Sequence, residues 1–215
     1  QLAIEQINRR GGVNGRRVDL VLLDDAYDTK RTVENVKTLI ERDNVVALTG
    51  LGSTAGVGAV LPMLAEKKVP LVGVYTGAPN LRMKHHPYFF TTQASFKDEV
   101  FYSVRNLVTL NSSRIAVVYQ NNEFGKLMMP VVEAAMKEQG ATLAGAVPIA
   151  IDGSDAVAAA QAVAGKQPQA VLLIAVGPSV VGYVKANRNF VGMPIYTIST
   201  AIGALPALGD DARGL

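Results

Sequence analysis

The chain has 215 residues, 49% of them hydrophobic and 18% charged, with a formal net charge of +3 and no cysteine. That length suffices for one large core or two small ones, since single cores take about 100–200 residues, and no apolar run approaches the roughly 18–20 residues of a membrane-spanning helix. Lysines and arginines lie scattered among acids rather than in a stripe that would track nucleic acid, while the lack of cysteine removes disulfides, thiolate metal sites and a cysteine nucleophile.

Residues 1–10 carry helical apolar spacing that stops at Gly11-Gly12, where glycine suits the left-handed end of a helix. Residues 1–8 read as helix rather than as a secretory leader, and the fold is expected to begin before Gln1. A strand follows at 18–23 (VDLVLL), apolar on both faces as a covered parallel strand is. Next come a helix at 29–42, a strand at 45–49, a helix at 53–67 and a strand at 70–75. This is a βαβαβ pattern with parallel strands. A loop at 79–87, rich in proline and basic residues, interrupts the rhythm before an extended piece at 88–93.

The alternation then resumes. Helices are expected at 97–110, 124–139 (closed by Gly140), 154–164 and 179–190, with strands at 115–119, 144–148, 170–176 and 194–199. The tail 201–215 opens a further element. The fold class is therefore α/β, with two successive Rossmann-like lobes and parallel sheets, residues 1–94 and 95–215, incomplete at both ends.

The sharpest motif is Thr49-Gly50-Leu51-Gly52-Ser53-Thr54-Ala55-Gly56, between a strand and a helix. Amide groups at a helix start attract an anion, and Ser53 or Thr54 adds a donor; alternatively Ser53 is only an N-cap. Gly50, Gly52 and Ala55 also fit G-x-G-x-x-A, but the acid that a dinucleotide site needs at the end of the next strand is missing from Val74-Tyr75-Thr76-Gly77-Ala78. Thr76-Gly77-Ala78 leaves the neighbouring strand at the same edge, where open α/β sheets bind ligands, unless it is merely a turn.

In the second unit Asn121 or Asn122 caps a helix whose early residue Phe124 either closes over a ligand or packs in the core. Val176-Gly177-Pro178-Ser179 and Ser199-Thr200-Ala201 end later strands at that edge. Catalytic groupings are thin. His85 and His86 read as a solvated loop pair, and Asp24, Asp25 and Asp28 as a strand end leading into a helix cap. Neither a nucleophile elbow nor a Walker loop occurs.

Taken in order, the stretches 1–15 (QLAIEQINRRGGVNG), 24–28 (DDAYD), 50–56, 69–78 with Leu81-Arg82, 93–99 (QASFKDE), 119–125 and 196–203 resemble the leucine/isoleucine/valine-binding branch of the type I periplasmic binding proteins. The resemblance implies a two-lobed clamp, with the first crossing between lobes near residues 91–95 and further elements before Gln1 and after Leu215. It implies a monomer that hands a small carboxylate to the membrane subunits of an ABC importer, in a periplasmic or other extracytoplasmic, membrane-associated location. No catalysis, cofactor, metal or nucleic acid is expected.

The carboxylate-binding serine matches Ser53, with Thr54 beside it and further contacts at Tyr75, Thr76, Gly77 and Ala78. Phe124 stands where tyrosine is frequent, and the loops at Gly177 and Thr200 close the cleft. Thr200 is neutral where amino-acid binders carry an acid, although Glu123 or Asp98 could substitute, and Gln93 replaces a frequent arginine near the hinge. Two alternatives remain open: a nucleotide-dependent α/β enzyme, and a ligand-sensing domain of a receptor built on the same clamp.

Overall fold

A computed structural model describes residues 2–213 and 215 and places two parallel sheets in succession. Helix α1 (Leu2–Arg9) precedes the first sheet; Gln1, its expected first residue, lies outside the described residues. Strands β1 (Leu48–Thr49), β2 (Leu71–Val72) and β3 (Phe89–Phe90) pair in that order. Helices α2 (Thr29–Glu41) and α3 (Thr54–Lys67) pack on each other, and a Cβ at Gly56 would come within 2.8 Å of Thr32 Oγ1, so glycine permits that approach.

The second sheet runs β5 (Thr142–Ile149), β4 (Arg114–Gln120), β6 (Ala170–Ile174), β7 (Ile195–Thr197), with every pair parallel. Its strands are apolar on both faces because both are covered. Ile115 and Val117 share a cluster with α4 (Phe96–Thr109) and α5 (Glu123–Gln139). Ala116 and Val118 share one with α6 (Ala156–Ala164) and α7 (Pro178–Phe190). The first of these clusters also reaches Val57, Leu64 and Leu71 of the first unit, so buried apolar contact is continuous from one sheet to the other. A short helix α8 (Leu205–Leu208) lies between two 3-10 turns. Gly214, within the tail expected to open a further element, lies outside the described residues.

The expected strand at 18–23 does not form. The Asn8 amide takes both backbone groups of Val18, at 2.8 Å each. Residues 19–23, however, make no backbone hydrogen bond among the described residues, and Leu20, Val21, Leu22 and Leu23 are exposed. An extended segment becomes a strand only through a neighbour's N–H and C=O groups, and apolar character cannot supply them. The strands expected at 45–49 and 70–75 shrink to two residues each; Gly73, in the left-handed region at φ 66°, ends β2. No helix among the described residues is long and apolar enough to cross a membrane.

Candidate functional site

The loops that leave β1 and β2 meet at the start of α3. Ser53 is its N-cap, accepting the Gly56 amide at 3.1 Å. Thr54 Oγ1 lies 2.8 Å from Thr76 Oγ1, and Thr76 Oγ1 also accepts the Ala78 N–H at 3.2 Å. All three hydroxyl residues are buried, as are Gly77 and Ala78. The Tyr75 N–H ties the two loops together by donating to the Leu51 carbonyl at 2.7 Å, whereas its side chain is half exposed.

Phe96 carries this cluster into the second unit. Its N–H donates to the Gly77 carbonyl at 2.8 Å, and a Cβ at Gly77 would strike the Ala94 carbonyl and sit 2.7 Å from the Phe96 ring. The ring meets Phe124 edge-to-face, with centroids 5.6 Å apart and planes at 65°. Asn122, rather than Asn121, caps α5, its Oδ1 accepting the Gly125 N–H at 3.0 Å. Ser53, Thr54, Thr76, Gly77, Ala78 and Phe124 thus form one chain of contacts, in which Phe124 is a packed core ring.

Gly177 and Thr200 are not joined to that chain. Gly177 is exposed, at φ 65°, ahead of α7. Thr200 is buried in the 3-10 turn Ser199–Ala204, and its Oγ1 has no hydrogen-bond partner among the described residues. The preceding residue is held firmly: Glu99 Oε2 accepts the Ser199 N–H at 2.7 Å, Glu99 Oε1 accepts its hydroxyl at 2.8 Å, and Gln93 Nε2 donates to that hydroxyl oxygen at 3.0 Å. A cleft of about 600 Å³ is lined by Ala26 and Tyr27, in the turn ahead of α2, and by Asn121, Ala150, Ile151, Asp152 and Pro178 of the second unit; Ser53, Thr54, Thr76, Phe124, Gly177 and Thr200 are not among its lining residues.

Phe96, Glu99 and Tyr27 were not among the expected site residues. For Phe96 a signal exists, since Ser95-Phe96-Lys97-Asp98 has capping-box spacing that starts the helix one residue earlier than expected. Glu99 and Ser199 are 100 positions apart, beyond any local pattern.

Other expectations resolve structurally. His86 is only partly solvated: it is half-buried, with Nε2 3.0 Å from the Leu61 carbonyl, while His85 is exposed. Asp28 caps α2 by accepting the Arg31 N–H, and among the described residues no three potential metal ligands come together.

The family model described as periplasmic binding protein matches residues 1–215. A substrate-binding periplasmic protein from Ralstonia solanacearum is 29% identical with a TM-score of 0.88, covering 99% of this chain and 62% of that one. The Leu/Ile/Val-binding protein homolog 3 of Brucella melitensis is 27% identical over 146 residues, 66% of this chain and 39% of that protein. A solute binding protein of an ABC transporter from R. palustris, solved in complex with benzoate, shares the fold at 17% identity and a TM-score of 0.84, covering 98% of this chain and 59% of that one. The chain thus spans about two fifths of the Brucella relative and about three fifths of the solved structures it matches.

Proposed function

Because the chain belongs to the periplasmic binding protein family, we propose that it captures a small carboxylate between two closing lobes and delivers it to the membrane subunits of an ABC importer. In this reading it works outside the cytoplasmic membrane, as a monomer, and as a binding protein rather than an enzyme. The lobes are residues 1–94 and 95–215. Ligand docks first on Ser53, Thr54, Tyr75, Thr76, Gly77 and Ala78; the loops at Gly177 and Thr200 then close over it, giving the importer a shape to recognise.

The observation that carries this reading is the buried hydroxyl pair of Thr54 and Thr76 at the start of α3. Each hydroxyl has one hydrogen, so whichever donates across the pair, the other keeps a hydrogen for a ligand oxygen. The amide groups and positive dipole end of α3 favour the same negative charge. The unpartnered Thr200 hydroxyl supports a polar occupant as well, since leaving such a group buried and unsatisfied costs about 1–3 kcal/mol.

Thr200 does not neutralise an ammonium group. An amino acid bound there without a carboxylate partner forgoes a charged hydrogen bond of roughly 1.5–3 kcal/mol, about tenfold or more in affinity. Glu123 and Asp98, both exposed near helix starts, are the available substitutes. The Brucella relative is named for leucine, isoleucine and valine, and the R. palustris protein holds benzoate; those ligands share a carboxylate. A thermal-shift panel of amino acids, aromatic acids and short aliphatic acids tests the reading. A rise with at least one acid is expected, whereas saturation by NAD or ATP with no response to any acid would turn the reading toward a nucleotide-dependent enzyme.

A further inference from the structure

The turn at residues 24–28 holds two consecutive non-glycine residues in the left-handed region, Ala26 at φ 48° and Tyr27 at φ 61°. An aromatic residue there is uncommon, because its Cβ crowds the backbone. The turn is nonetheless built to keep it. Asp24 Oδ1 accepts the Ala26 N–H and Asp25 Oδ1 the Tyr27 N–H, both at 2.9 Å. Asp25 Oδ2 accepts the Thr32 hydroxyl at 2.6 Å, which anchors the turn to the first turns of α2.

Tyr27 lines the cleft. Tyr27 and Ala26 form one wall, and Asn121, Ala150, Ile151, Asp152 and Pro178, at the carboxyl ends of β4, β5 and β6, form the other. At about 600 Å³ the space has the size of a small-molecule site. No hydrogen bond engages the Tyr27 hydroxyl among the described residues, and the side chain is not part of either core cluster. Strain is often retained where a side chain serves a site rather than the fold.

Building on the carboxylate-clamp reading, we infer that Tyr27 is a specificity-determining residue of the cleft, its ring forming the wall against which the apolar body of the bound acid packs. The facing wall selects the rest of that body. Ile151 and Pro178 offer apolar surface, while Asn121 and the Asp152 carboxylate take a hydrogen-bond donor such as a hydroxyl or amine. Ser154 holds Asp152 in its charged form through its N–H at 3.0 Å and its hydroxyl at 2.8 Å. The ligand class is therefore a small acid with a flat or branched apolar body and a donor group away from its carboxylate.

The test is calorimetric titration of the protein with benzoate, 4-hydroxybenzoate, L-leucine and L-phenylalanine, comparing wild type with Tyr27→Asn. Asparagine tolerates the left-handed backbone well, so this variant should melt no earlier than wild type. It should still bind the preferred acid about tenfold more weakly and rank the four acids differently. Tyr27→Gly, equally at home in that backbone, provides the comparison if asparagine disturbs folding. Wild-type binding that both variants retain within about twofold overturns this inference alone. A wild type that binds none of the four acids also overturns this inference, and one that in addition binds no short aliphatic acid overturns the carboxylate clamp with it.

Discussion

Glu99 grips Ser199 with both carboxylate oxygens, one on the backbone N–H at 2.7 Å and one on the hydroxyl at 2.8 Å. The first turn of α4 thereby fixes the turn that carries Thr200, across 100 positions of sequence. Replacing Glu99 by alanine leaves two donors without their acceptor at a half-exposed position, a cost of about 1 kcal/mol in denaturant unfolding. Because the Thr200 turn loosens, ligand affinity should fall too. Glu99→Gln keeps one acceptor oxygen and should lose about half as much stability.

The Thr54 and Thr76 hydroxyls should show a coupling energy. Each single valine replacement leaves the other hydroxyl buried without its partner, at about 1–3 kcal/mol. Thr76→Val should be the worse of the two, since it also strands the Ala78 N–H. The double variant should cost less than the sum of the singles, as a double-mutant cycle in urea would measure.

Tyr183 is fully buried in the cluster under α7, and its hydroxyl has no hydrogen-bond partner among the described residues. Tyr183→Phe should therefore be neutral or stabilising, by up to about 1 kcal/mol. Burial also pushes the phenol well above its ordinary value of 10.0. The folded state holds the neutral form while the unfolded chain ionises, so this contribution is complete below pH 10.0 and is lost as pH rises above it. Unfolding measured between about pH 9 and 11 should be less alkali-sensitive in the phenylalanine variant.

Gly77→Ala should destabilise the protein by about 1–3 kcal/mol, the usual range for overpacking. The new methyl would press on the Ala94 carbonyl and the Phe96 ring, both close to the backbone. Moving that loop also shifts Thr76, so binding should weaken in the same variant, measured alongside its melting temperature.

The second unit was legible in sequence because its signals are local and redundant. Asn122 and Gly140 mark the two ends of α5, and the continuous apolar runs of β4 and β6 are covered on both faces. The first unit was less so. Residues 18–23 have the composition of a buried strand, yet pairing is a property of two segments, and residues 19–23 have no backbone partner among the described residues. At the candidate site the loop motifs around Ser53 and Thr76 were visible, since glycines and hydroxyls at strand ends have a local meaning. The Phe96 bridge and the Glu99 grip arise from tertiary contact. Tyr27 was hidden because its left-handed backbone is set by two aspartate side chains rather than by a glycine.

Calorimetric titration of wild type and the Ser53→Ala/Thr76→Ala double variant, using whichever small acid raises the melting temperature most, tests the clamp directly. The account predicts saturable heat with wild type and a loss of about a hundredfold or more in affinity for the double variant, since two hydrogen bonds to a charged group are removed. Equal affinity in a folded double variant would contradict it.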